Sequence, residues 1–72
     1  MQHIPHGRYR HFKGQYYQVI RTVKHSETEE WMVVYYPEYA PQTWWVRPLS
    51  MFTEVIERDG VSQPRFRHCE ED

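Results

Sequence analysis

The residues with chemistry to offer are His3, His6, His11, His25 and His68, the single cysteine Cys69, and Arg47, which follows two tryptophans and a valine. Histidine and cysteine could ligate a metal. A structural zinc site takes four ligands, often in close pairs such as C-x₂₋₄-C or H-x₃₋₅-H. His6 and His11 have the second spacing, but no cysteine pair completes the set. His68 and Cys69 are adjacent and, on a strand, point to opposite faces. No metal and no cofactor is expected. Nucleophilic catalysis needs a base within hydrogen-bond reach and a third group to orient that base. Ser26 stands between His25 and Glu27, but side chains of sequence neighbours diverge. Ser26, Glu27 and Thr28 read instead as turn residues bonding to nearby amides. The acidic end Glu70-Glu71-Asp72 makes Cys69 a poor nucleophile, because negative neighbours raise a thiol pKa. The chain has no Walker loop, no G-x-S-x-G and no paired catalytic carboxylates. No catalytic residue is assigned, and a small enzyme ranks third among the functional readings.

Recognition ranks first. Strand alternation puts Trp45 and Arg47 on one face and Trp44 and Val46 on the other. One of these tryptophans is expected in the core and the other partly exposed. An exposed Trp beside a guanidinium is a stacking surface joined to an anion-binding fork. His11, Tyr17 and His25 are placed beside Trp45 and Arg47 as an aromatic and basic groove. Its ligand is a peptide, another protein or a nucleotide. Arg47 needs a partner in so apolar a setting, and Glu27 or Glu54 is the expected internal one. The alternative is single-stranded RNA or DNA held by the basic N-terminal third, through Arg8, Arg10, Lys13, Arg21 and Lys24. That third carries no Asp or Glu, although the net charge of the whole chain is −1.

Positioning these side chains falls to strands. A chain of 72 residues makes one domain with a thin core, burying only about 60% of its unfolded surface. Aromatic residues make up 17% of the chain, and each ring buries roughly 150–250 Å², which offsets the small size. Tyr, Trp, Val, Ile and Thr sit in short runs bounded by Gly, Pro and polar clusters. The runs predict strands over 8–12, 16–24, 31–36, 43–47, 53–58 and 61–68. Gly14 and Asp59-Gly60 mark tight turns, and residues 49–52 a single helical turn. In the second strand Tyr17, Val19 and Val23 share one side, interrupted by Arg21. Pro64 marks an edge. The fold expected is all-β, a small SH3-like barrel or a strongly bent antiparallel sheet of five to six strands. Phe52 and Phe66 are expected in its core. The domain should span 5–68, with flexible ends at 1–4 and 69–72, as a monomer or a weak homodimer. The start carries no targeting signal and no apolar run is long enough to cross a bilayer. A lone cysteine suits a reducing compartment, so the expected location is cytoplasmic, with no membrane partner.

One ordered set of motifs resembles a known family. Gly7-Arg8-Tyr9-Arg10-His11-Phe12-Lys13-Gly14 followed by Tyr16-Tyr17-Gln18-Val19 is similar to the start of the DUF1653 family. His25-Ser26-Glu27-Thr28 ahead of Val33-Val34-Tyr35 continues the pattern. Trp45-Val46-Arg47-Pro48, Met51-Phe52 and Pro64-Arg65-Phe66 complete it. The resemblance covers residues 5–67. It implies a small bacterial β domain and supplies no reaction. The segment Pro37-Glu38-Tyr39-Ala40-Pro41 departs from the pattern, so no role is carried onto it.

Overall fold

The computed structural model describes residues 4–69. Seven strands and one helical turn follow in order: β1 (Gly7–His11), β2 (Tyr16–Lys24), β3 (Trp31–Pro37), β4 (Trp45–Pro48), α1 (Leu49–Phe52), β5 (Val55–Arg58), β6 (Val61–Pro64) and β7 (Phe66–His68). Five of them form one antiparallel sheet in the order β4-β3-β2-β1-β7, and β5 and β6 make a separate hairpin. Of the ends expected to be flexible, Ile4 packs against the core and the Cys69 amide donates to the Arg8 carbonyl at 2.9 Å. The remaining residues of both ends lie outside those described.

Local chemistry explains the connections. Gly14 has φ 104° in the turn between β1 and β2, a backbone region that L side chains rarely enter. That turn is closed by the His11 amide donating to Gln15 and the Gly14 amide donating to His11, both at 2.7 Å. Asp59 and Gly60 both have positive φ, 54° and 77°. This is the primed turn whose twist matches the flanking strands.

The central strand departs from simple alternation. Val19 pairs with Tyr35 but Arg21 pairs with Val34, so Ile20 is an extra residue and the register shifts there. A bulge of this kind exchanges the faces of every residue beyond it. Arg21 therefore stands on the outer face, opposite Val34. Thr22, rather than Val23, continues the inner row of Tyr17 and Val19, which corrects the uniform alternation read from sequence. The bulge removes the one charge that would have interrupted the apolar row.

The last strand also divides. Pro64 has no amide to donate, and the chain turns at Arg65, whose amide donates to Glu54 at 2.9 Å while its carbonyl accepts from Phe12 at 3.0 Å. The expected single strand over 61–68 is therefore two strands in two sheets. No ladder joins β4 to β7 among the described residues, and the hairpin pairs only with itself. The closed barrel is thus replaced by an open five-stranded sheet with a hairpin beside it. The edge strands have four and three residues, and the chain between them forms α1 and the hairpin.

The core lies on the inner face and is mostly aromatic. Tyr9, Tyr17, Val19, Val33, Tyr35 and Phe66 from the sheet bury against Leu49 and Phe52 of α1. Phe52 and Phe66 stack with centroids 4.1 Å apart and planes 5° apart. Tyr9 and Tyr35 meet Phe52 edge-on at 5.4 and 5.3 Å. Edge and offset contacts of this kind add about 0.5–1.5 kcal/mol each beyond area burial. The Tyr9 hydroxyl donates to the Pro5 carbonyl at 2.7 Å in a partly buried setting.

Candidate functional site

The inner face runs from the buried Tyr17 and Tyr35 out to the partly exposed rings of Trp45 and His11. Trp45 on β4 stands opposite Tyr35 on β3, which stands opposite Val19 on β2. The Trp45 ring lies 6.0 Å from Tyr35, nearly perpendicular at 81°, and 6.3 Å from Tyr17. His11, from the end of β1, approaches Tyr17 at 6.1 Å and Phe66 at 4.9 Å. Arg47, two residues beyond Trp45 on the same face, donates from Nε to the Tyr35 hydroxyl at 3.2 Å. Its guanidinium carbon stands 5.8 Å from the Phe66 ring centre. Four of the five residues expected in the groove, His11, Tyr17, Trp45 and Arg47, thus share one face.

His25 does not join them. It follows β2 at the far end, and strands rise about 3.3 Å per residue, placing it roughly 25 Å from Tyr17. Its Nδ1 accepts from the amides of Glu27 and Thr28 at 3.1 and 3.3 Å. That is the turn chemistry available to any short polar side chain before two free amides, and it corrects the placement of His25 in the groove.

The expected partner of Arg47 is also corrected. Glu54 is taken by Arg65 at 2.9 Å, and Glu27 lies in the distant loop beside His25. The internal partner is a phenol. It satisfies one of five guanidinium donors and leaves the positive charge unneutralised. Nor is either adjacent tryptophan in the core: Trp44 is 62% exposed and Trp45 39%. The core is already filled by tyrosine and phenylalanine rings, and Trp31 packs against it instead. Trp44 stacks on Tyr36 across the outer face at 6.5 Å and donates its indole N–H to the Pro41 carbonyl at 3.1 Å.

Sequence reasoning missed Tyr35 and Tyr39. Tyr35 sits two residues beyond Val33 on the inner row, so alternation along β3 could have located it. Tyr39 is 66% exposed in the loop after β3 and stands near enough to Tyr17 to raise its hydroxyl pKa, a proximity of loop and sheet that no local pattern announces. Burial first, and then the neighbouring Tyr39, push the Tyr17 hydroxyl pKa up.

His11 carries an electrostatic signature of the same face. Burial, followed by the positive charges of Arg65, Lys13 and Arg47, lowers its pKa. Neutral His11 therefore stabilises the fold fully above the unfolded value of about 6.5. That contribution is lost as pH falls through the lower folded value. In a histidine NMR titration, His11 should show a midpoint below about 6.5. A bound anion should move that midpoint upward. A midpoint at or above the ordinary value would show that these cations do not converge on His11.

The five basic residues of the N-terminal third are dispersed. Arg8 is held by Glu38 through two hydrogen bonds of 2.9 and 3.1 Å and lies 3.7 Å over the Tyr16 ring. Its hydrogen bond keeps the Glu38 carboxyl below its usual value. Arg10 leans towards the same ring at 5.8 Å. Lys13 stands 5.8 Å from the Phe12 ring in the first turn, and Lys24 stands 5.3 Å from the Trp31 ring at the other end of β2. Arg21 is exposed on the outer face. No single groove collects them. Among the described residues, no group of three or more His, Cys, Asp or Glu side chains converges on a point that could hold a metal.

Comparison with known proteins agrees with this architecture. A crystal structure of a DUF1653 protein from Bordetella bronchiseptica is similar to the chain, with a TM-score of 0.84 and 34% identity over 96% of this chain and 91% of that one. No curated protein matches. The model of the DUF1653 family, described as a protein of unknown function, matches residues 7–68. With nearly every described residue inside that match, the chain belongs to the DUF1653 family.

Proposed function

We propose that the protein is a small binding module whose inner sheet face takes a planar anionic ligand of the nucleotide kind. One observation carries the reading. Arg47 sits among aromatic rings with a tyrosine hydroxyl as its hydrogen-bond partner and, among the described residues, no carboxylate. A charged fork left unneutralised beside a partly exposed tryptophan suits an anion attached to a flat ring. The ring would stack on Trp45 and the anion would take the remaining guanidinium donors. Tyr17 and Tyr35 would hold both residues in place, and His11 would line the flank. The open sheet reads as an SH3-like barrel that has not closed, with the hairpin and α1 standing in place of the missing ladder.

The dispersal of Arg8, Arg10, Lys13, Arg21 and Lys24 and the commitment of Arg8 to Glu38 support the single-stranded nucleic acid reading less. A shift-perturbation screen of ¹⁵N-labelled protein separates the possibilities. The probes are nucleoside monophosphates, short RNA, single-stranded DNA and proline-rich peptides. The expected outcome is saturable change at His11, Tyr17, Trp45 and Arg47 with the mononucleotides, and modest salt dependence. Affinity for RNA or DNA that falls steeply with salt, with changes spread over the N-terminal basic residues, would replace this reading with the nucleic-acid one. Response to the peptides alone would assign the face to protein partners.

A further inference from the structure

A pocket of about 160 Å³ opens beside β1, β6 and β7, lined by Arg10, His11, Phe12, Gln63, Pro64 and Arg67. Arg10 and Arg67 are directly opposed across the β1–β7 pair. Opposed residues of an antiparallel pair have Cβ atoms about 4.5–5.5 Å apart, and like charges there are destabilising. Among the described residues, no carboxylate lines the pocket to offset them. Glu38 is committed to Arg8 and Glu54 to Arg65. Neither Arg10 nor Arg67 has a side-chain hydrogen bond or ion pair among the described residues. The Arg10 head rests near Gly14 and 5.8 Å from the Tyr16 ring, a loose contact from which a long side chain swings readily.

We propose that this pocket is an oxyanion site for a phosphate-type group, held between the guanidinium groups of Arg10 and Arg67 with the Gln63 amide as a neutral donor. A phosphate offers acceptors on every oxygen, and its negative charge turns a repulsive pair into a clamp. The space is adequate, since water takes about 30 Å³ per molecule in the liquid and the pocket has room for about five. Phe12 and Pro64 give it an apolar wall on one side. The site uses different arginines from the inner face and does not depend on the reading of that face.

The test follows the arginine Nε–H and Gln63 side-chain signals of labelled protein. Inorganic phosphate and adenosine monophosphate are titrated against sodium chloride of matched ionic strength. The expected result is saturable change at Arg10, Arg67 and Gln63, with Arg21, an exposed arginine on the same outer face, unmoved. Arg10→Met and Arg67→Met should each weaken binding roughly tenfold or more. Each should leave the melting temperature in the absence of phosphate unchanged or raised, because the repulsion is relieved. Equal affinity for both probes assigns a free oxyanion, and tighter binding of the nucleotide assigns a phosphate carried on a nucleoside. Both results sustain the site. Non-saturating shifts, equal movement of Arg21, or undiminished affinity in both variants would overturn it. Changes confined to Trp45 and Arg47 would also overturn it while leaving the inner face standing.

Discussion

Phe52→Ala is expected to destabilise the protein by about 3–5 kcal/mol, the range for emptying a buried phenylalanine site. A domain of 72 residues has a total stability of roughly 4–11 kcal/mol at 0.05–0.15 kcal/mol per residue, so the variant should be largely unfolded or close to it. The size of the effect follows from placement. Phe52 is 1% exposed, stacks flat on Phe66, and receives the edges of Tyr9 and Tyr35. It also anchors α1, a four-residue turn with no side-chain cap at its start and too short to hold itself. Loss of the ring frees that turn and opens the middle of the inner face together. Phe52→Leu refills most of the volume and should cost clearly less. Urea melts of both variants check the prediction. A Phe52→Ala midpoint near that of the parent would place the ring outside the core.

Arg47→Met is expected to have the opposite profile, with a small effect on folding and a large one on binding. The methionine side chain retains most of the stem that packs near Phe66. What folding loses is one hydrogen bond to a hydroxyl that can turn elsewhere, about 1 kcal/mol. No carboxylate is stranded, because neither Glu27 nor Glu54 is the partner of Arg47. Binding of an anionic ligand loses its charged fork and should weaken roughly tenfold or more. Arg47→Lys should also bind poorly, since a point charge does not replace a planar pair of donors. Tyr35→Phe supplies a complementary check: it keeps the core ring and removes the hydroxyl that orients Arg47. A melt of Arg47→Met that drops by several kcal/mol would mean the guanidinium serves the fold.

The parts of this fold that were legible in sequence rest on local rules. Asp59-Gly60 requires a primed turn, Gly14 a positive φ, and Leu49 to Phe52 a helical turn after Pro48; each follows from backbone sterics alone. The pairing of Trp45 with Arg47 on one face follows from strand alternation over three residues. Phe52 was legible as core because the turn after Pro48 tucks its ring beneath the sheet, and Phe66 because it lies on the last strand. The rest depended on contacts between distant segments. A bulge at Ile20 shows itself only when β2 is aligned against β3, so the faces of Arg21 and Val23 were misassigned. Closure of the sheet depends on whether two short edge strands meet, which no window of residues contains. Trp44 and Trp45 both stay exposed because tyrosines and phenylalanines from other strands occupy the core first. His25 was placed in the groove by its residue type alone, yet the length of β2 carries it away from Trp45.

The most direct test of the central claim is a titration of ¹⁵N-labelled protein with a nucleoside monophosphate, reading the Trp45 indole N–H and the Arg47 Nε–H together. The account predicts that both signals move with one saturation curve and that Arg47→Met, still folded, removes the response at Trp45. A Trp45 signal that stays fixed to saturation, or one that responds equally in Arg47→Met, would contradict it.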